Sequence, residues 1–195
     1  MIDYPPIAYD YRLVQGRVCL VQEKLDGHNV RAEFNKGEFK LGSRRRLIGS
    51  DSDDAVFAAG AALFLAEYAD PLAKALVAAK LGRAAVFGEL YGSETHMKRV
   101  DYGVGMEWAF FDILDVSRKA FLEPREAMRI LEGAVPVPAY GIETVDLNLV
   151  NAIRADETPG KEGVVIKPQR IRQPSLRLPY AKAKTKWFMG RFDDP

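Results

Sequence analysis

Residues 23–29 read EKLDGHN, between two runs of strand character, RVCLVQEK (17–24) and NVRAEF (29–34). Asp-Gly is turn chemistry, because glycine takes backbone conformations closed to other residues and aspartate bonds its own main chain. As a plain turn the segment would carry solvated charges. The other reading makes Lys24 a nucleophile held in place. What lies further along the chain decides between them.

Outward from this junction the pattern alternates sheet and helix. NKGEFKLGS (35–43) reads as the return of a hairpin, with Asn35-Lys36-Gly37 at its turn. SDSDDAVFAAGAALFLAEYAD (50–70) opens on capping residues and becomes Ala- and Leu-rich, which predicts a helix. Pro71 is expected to interrupt it, with LAKALVAAKLG (72–82) resuming until Gly82. AAVFGELYG (84–92) and EWAFFDILDV (107–116) are strands by their aromatic and β-branched content. EPREAMRILEG (123–133) has proline in its first turn and glycine after its end, and a short helix follows near 147–154. KEGVVIKP (161–168) and LPYAKAKTKWF (178–188) are read as two more strands. The class is α+β, with mostly antiparallel sheets and helices outside them.

Composition sets bounds. The 195 residues are 48% hydrophobic and 28% charged, ordinary for a globular chain with a sizeable core. A net charge of +1 gives no whole-chain argument for nucleic acid. Its distribution is uneven: Arg44-Arg45-Arg46 and Lys98-Arg99 are basic clusters, and over 161–191 Lys and Arg recur against one acid, Glu162. Such a field steers a polyanion to one face, or is simply a solvated basic edge. Cys19 is the only cysteine and fits a reducing compartment. The start, MIDYPPIAYDYR, lacks the pattern of a signal peptide, and no apolar run in the sequence is read as membrane-spanning. The expected location is cytoplasmic.

A Lys-x-Asp-Gly match alone is weak, but EKLDGHN is followed in order by SRRR, FGELYG, FFDI, EGVVIKP and AKAKTKW. This series resembles the covalent nucleotidyltransferase superfamily of ATP-dependent ligases and capping enzymes. Asn29 and the Ser43-Arg44 pair are most similar to its RNA ligase 2-type branch. The resemblance spans about residues 20–189 and implies the DNA/RNA ligase catalytic (ATP-grasp-like) fold, with an ATP pocket between sheets. It also implies a single adenylation domain over 1–195. Only eleven residues follow Lys184, too few for the OB-fold or helical domain such enzymes carry there. A partner protein supplying that surface is one expectation.

The resemblance assigns roles by position. Lys24 would attack the α-phosphorus of ATP and carry AMP as a phosphoramidate. Lys182, Lys184 and Mg2+ or Mn2+ would lower its pKa and neutralise phosphoryl charge. Glu162 would anchor the metal through bound water. Glu89 would hold the ribose hydroxyls, Phe111 would stack on adenine with Phe110 facing away, Glu23 would meet the adenine edge, and Arg44 would reach ribose or phosphate. Asp26, Gly27 and Asn29 complete the nucleotide site. Lys167 would contact the nucleotide as well. Strict alternation from Glu162 points it the other way, so a bulge or twist is implied.

The residues themselves leave alternatives open. A lysine stripe also protects an edge strand, an acid at a strand start is usually solvated, and a phenylalanine in such a strand is usually core. The lysine frame is Lys182 with Lys184, or Lys184 with Lys186. His28 and His96 have no metal-ligand spacing and receive no role. The implied partner is nucleic acid with 5′-phosphate and 3′-hydroxyl ends, RNA preferred. A minimal DNA ligase, a GTP-dependent capping enzyme and a nucleotide- or RNA-binding module are the competing readings.

Overall fold

The computed structural model describes residues 2–44, 46–158, 160–171 and 178–190. Arg45, Arg191 and the Asp193-Asp194 tail lie outside them. Among the described residues, ten strands form two antiparallel sheets. One has four strands in the order β10 (Ala181–Lys184), β9 (Gly163–Pro168), β1 (Val18–Lys24), β8 (Tyr140–Thr144). The other has six: β4 (Leu47–Ile48), β3 (Glu38–Ser43), β2 (His28–Asn35), β5 (Arg83–Tyr91), β6 (Glu107–Asp115), β7 (Ala120–Phe121). β1 and β2 do not pair. KLDG is therefore the crossing from one sheet to the other.

The β2–β3 hairpin turns where expected, with Lys36 and Gly37 both at positive φ. Strand alternation sorts the larger sheet's residues. Val30, Ala32 and Phe34 face helices, while Ala85, Phe87 and Leu114 face the other way with Tyr4 and Phe121. Under the smaller sheet, Cys19, Ile166 and Ala181 pack with Val150 of helix α4 (Leu147–Ala155).

Pro71 does not break the long helix. α1 (Ala55–Leu63) runs through a π turn (Phe64–Tyr68) into α2 (Ala69–Ala78). A proline cannot donate to the preceding turn and its ring crowds the carbonyl there. The wider turn just ahead of it, closed by Ala69 N–H on the Phe64 carbonyl, absorbs both defects. The continuous Ala55–Ala78 helix is, contrary to the sequence reading, long and apolar enough to cross a membrane by length and composition, with mean hydropathy 1.3. Here its buried stripe (Phe57, Gly60, Ala61, Phe64, Leu72, Leu76) packs against Leu90, Trp108 and Phe110 in the main core. Trp108 Nε1 donates to the Gly60 carbonyl at 2.9 Å.

The last segment also differs. β10 stops at Lys184, and Thr185 caps a short helix, α5 (Lys186–Met189), its hydroxyl accepting from Phe188 N at 3.2 Å. Helix α3 (Pro124–Leu131) matches its reading, with Gly133 at positive φ beyond it. β8, whose five residues are all exposed, has no counterpart in the sequence reading, because an exposed edge strand lacks the apolar alternation that marks a half-buried one.

Candidate active site

The crossing between sheets depends on Gly27. A Cβ there would lie 2.5 Å from the Leu90 carbonyl oxygen and 2.9 Å from Glu89 Cγ, so only glycine lets this loop lie against β5. Asn29 then enters β2 opposite Glu89. The Asp26 amide donates to Tyr102 Oη at 2.7 Å, and Arg99 Nη1 lies 3.7 Å from Asp26 Oδ1. Both partners come from the 92–106 loop between β5 and β6, which braces the junction.

Register in the smaller sheet brings the lysines together. Lys24, Gly163 and Lys184 stand at one level on three neighbouring strands, and Gln22, Val165 and Lys182 at the next. Gly163 has φ +152, and a Cβ there would collide with the Ala183 carbonyl oxygen. With no side chain between them, Lys24 and Lys184 converge on Glu162: their Nζ atoms lie 2.7 and 3.1 Å from its Oε1. Lys182 and Lys184 share β10, whereas Lys186 sits in α5 and pairs with Glu157.

Beside this cluster a cavity of about 640 Å3 opens between the sheets, a size that suits a nucleotide-scale ligand. Nine of the residues singled out in the sequence line it: Glu23, Lys24, Gly27, Asn29, Arg44, Glu89, Phe111, Lys167 and Lys182. Asp26, Glu162 and Lys184 do not line it.

The bulge inferred for Lys167 lies elsewhere. Glu162 precedes β9, so alternation does not run through it, and β9 pairs with β1 without interruption. The irregularity is in β6, where Phe87 faces Asp112 and Gly88 faces Phe110, leaving Phe111 as the extra residue. Phe110 and Ile113 consequently point into the main core, while Phe111 lines the cavity and Asp112 turns to the same side. Asp112 there accepts hydrogen bonds from Tyr4 Oη (2.6 Å), Lys167 Nζ (3.0 Å) and Tyr180 Oη (3.2 Å). Lys167 also donates to the Phe111 carbonyl and lies over the Phe111 and Tyr180 rings at 5.1 and 5.4 Å.

Electrostatics follow from burial. Glu89 is pushed up to about 8, mainly by desolvation and against the pull of Lys24. Asp26 and Glu23 are raised for the same first reason. Lys167 is lowered by burial, with Asp112 opposing. Lys182 is lowered, through burial first and then the charges of Lys24 and Lys184. Lys24 sits beside a carboxylate.

Glu162 Oε2 and Asp26 Oδ2 are buried without a hydrogen-bond partner. Two unpartnered carboxylate oxygens in one cluster fit a hard divalent cation. No group of three or more His, Cys, Asp or Glu among the described residues could hold a metal, so such an ion would keep much of its water.

Several residues in or around the cavity escaped the sequence reading. Asp112 belongs to the FFDI stretch, and its signal was an acid inside an apolar strand. His28 lines the cavity, its ring 5.5 Å from that of His96, which is bound to Asp54 at 3.1 Å. Tyr4, Tyr9 and Tyr180 carried no sequence signal.

A family model described as RNA ligase matches residues 17–184. No curated protein sequence matches the chain. Among solved structures, a lysine-to-alanine variant of Naegleria gruberi RNA ligase with ATP and Mn superposes with TM-score 0.76 at 14% identity. A glutamate-to-alanine variant of that protein with AMP and Mn gives 0.76 at 15%, and its complex with pyrophosphate 0.75 at 15%. Each match covers all of this chain and 59% of the other. The shared architecture is the two-sheet RNA ligase nucleotidyltransferase fold, and with a family model spanning most of its length this chain belongs to the RNA ligase family.

Proposed function

We propose that this chain is the adenylating unit of an ATP-dependent RNA ligase. The observation that carries the reading is the position of Lys24, which lines the cavity with its Nζ 2.7 Å from Glu162 in a cluster closed by Lys184. The deprotonated Lys24 amine attacks the α-phosphorus of ATP. A nitrogen–phosphorus bond forms, the bond to the bridging oxygen breaks, and pyrophosphate leaves. AMP then passes to a 5′-phosphate end, and a 3′-hydroxyl displaces it to seal the strand.

The chain's own residues divide this work. Phe111 offers a face to the base, Glu89 and Asn29 meet the ribose, and Lys182 and Arg44 bind phosphoryl oxygens. Lys167, locked by Asp112, fixes the cavity floor. Glu162 and Asp26 would hold Mg2+ or Mn2+, which supplies charge neutralisation at the phosphate and competes with the ammonium for the carboxylate. The Lys24–Glu162 pair must separate before the amine can attack, and Lys184 remains to neutralise the carboxylate when it does.

The test is denaturation-resistant labelling with α-labelled ATP and Mg2+ or Mn2+. Label from ATP that is absent in Lys24→Ala supports the reading. Label from GTP only would favour capping chemistry, and no label with either nucleotide a binding module. Nicked duplexes with RNA or DNA at the 3′-hydroxyl side decide the substrate. Sealing only after a second polypeptide is added would identify a partner protein as the source of duplex-engaging surface.

A further inference from the structure

The three lysines of the phosphate end are not held alike. Lys24 and Lys184 both rest on Glu162. Lys182 has no carboxylate within ion-pair distance among the described residues; Lys24, Lys184 and Arg44 repel it, and Glu162 attracts it from beyond that distance. Its ammonium lies 4.6 Å from the centre of the Tyr9 ring, over the aromatic face. Tyr9 is 54% exposed, so burial does not explain its place.

The main chain around Tyr9 grips the same lysine. β10 is an edge strand of the smaller sheet, and an edge leaves main-chain groups without partners. The N-terminal segment covers that edge. Lys182 N–H donates to the Ala8 carbonyl at 3.0 Å, Tyr11 Oη donates to the Lys182 carbonyl at 3.0 Å, and Ala8 bridges Ala181. The same segment reaches the cavity through Tyr4, Pro5 and Ile7. One strap thus lines the cavity wall and holds both the backbone and the side chain of Lys182.

We propose that Tyr9 is a positioning residue for nucleotide binding, acting through Lys182. Its ring keeps the ammonium aimed over the cavity against three neighbouring cations. Unlike a carboxylate, it leaves the full positive charge available to an incoming phosphate. This deepens the reading of the cavity as a nucleotide site and rests on that reading. Between its exposed and desolvated limits, a cation–π contact corresponds to roughly a twofold to thirtyfold effect on affinity.

The experiment is a double-mutant cycle in ATP binding, measured calorimetrically with Mg2+ in the Lys24→Met background, where no chemistry occurs. Tyr9→Leu is expected to weaken binding about tenfold and Tyr9→Phe by less than twofold, because phenylalanine keeps the ring face. In Lys182→Met, Tyr9→Leu is expected to change little. With Lys24 present, Tyr9→Leu should raise KM for adenylation and spare kcat, with Tm unaltered. Equal losses from Tyr9→Leu and Tyr9→Phe, full additivity with Lys182→Met, or no binding of ATP at all would each overturn the proposal. ATP binding with an intact cycle but no adenylate on the wild type would sink the ligase reading and leave this one standing.

Discussion

Lys24 and Lys184, on strands separated by a third, meet at one oxygen of Glu162, at 2.7 and 3.1 Å. The other oxygen of that carboxylate is buried and unpartnered. One acid thus aligns the proposed nucleophile, holds two ammonium groups on one oxygen and leaves its second oxygen unpartnered. Glu162→Gln preserves the shape and removes the charge. Formation of the lysyl-adenylate is expected to fall by about 10²–10³-fold, the size of losing one preorganised electrostatic contact. A rate within tenfold of wild type in a single-turnover labelling assay would refute this.

Gly163→Ala tests the spacing between those two lysines. Its Cβ would collide with the Ala183 carbonyl in a backbone region closed to alanine. The cost is expected to be at least about 2 kcal/mol in urea unfolding. Gly141→Ala is the control, since a Cβ there meets nothing within 4 Å. That variant should lie within about 0.5 kcal/mol of wild type.

Lys167 and Asp112 are each about 1% exposed and bonded at 3.0 Å. Removing only the acid, as in Asp112→Leu, leaves a buried ammonium without its partner and should cost about 3–5 kcal/mol. Adding Lys167→Met should recover much of that stability while still lowering ATP affinity. Chemical denaturation of the two variants separates these outcomes. A double variant no more stable than the single would argue against the pair as the source of the loss.

Glu89 supplies a pH signature. Its carboxyl is raised from 4.5 to about 8 in the folded protein, chiefly by burial. Between those values the folded state binds more protons than the unfolded one, so stability falls as pH rises. The Glu89 contribution is complete below the unfolded value and lost as pH climbs through the folded one. In the nucleotide-free protein, the difference in Tm between Glu89→Gln and wild type should grow from pH 5 to pH 8, the variant gaining. A constant difference across that range would count against the raised value.

How much of this the sequence carried varied with the range of the interactions. The β2–β3 hairpin was legible because Asn35-Lys36-Gly37 specifies its own turn. α3 was legible because Pro124 and Gly133 mark its ends. Pro71 misled because a π turn, made tolerable by packing on the larger sheet, has no mark of its own in the sequence. The strand from Leu178 was extended past Lys184 because Ala-Lys-Ala-Lys-Thr-Lys keeps alternating on paper, whereas the Thr185 cap and the Glu157 partner of Lys186 end it in space. β8 was missed because exposure on both faces erases alternation.

The site divides the same way. The order of motifs pointed to Lys24, Glu89, Phe111, Glu162 and the lysine pair, since each sits in a short local pattern. It could not show that Lys24 rests on a carboxylate, because that contact joins residues 138 positions apart through strand register. Nor could it show Asp112 turned toward Lys167, which depends on one extra residue in β6, or Tyr9 beneath Lys182, which depends on a strap laid across a sheet edge. Residue types and local turns are properties of the chain's neighbours in sequence, and those alone pointed to the family and to Lys24 as its candidate nucleophile. Which groups share a charge, a cavity wall or a proton is settled by pairing between distant strands, and only the folded sheets could decide it.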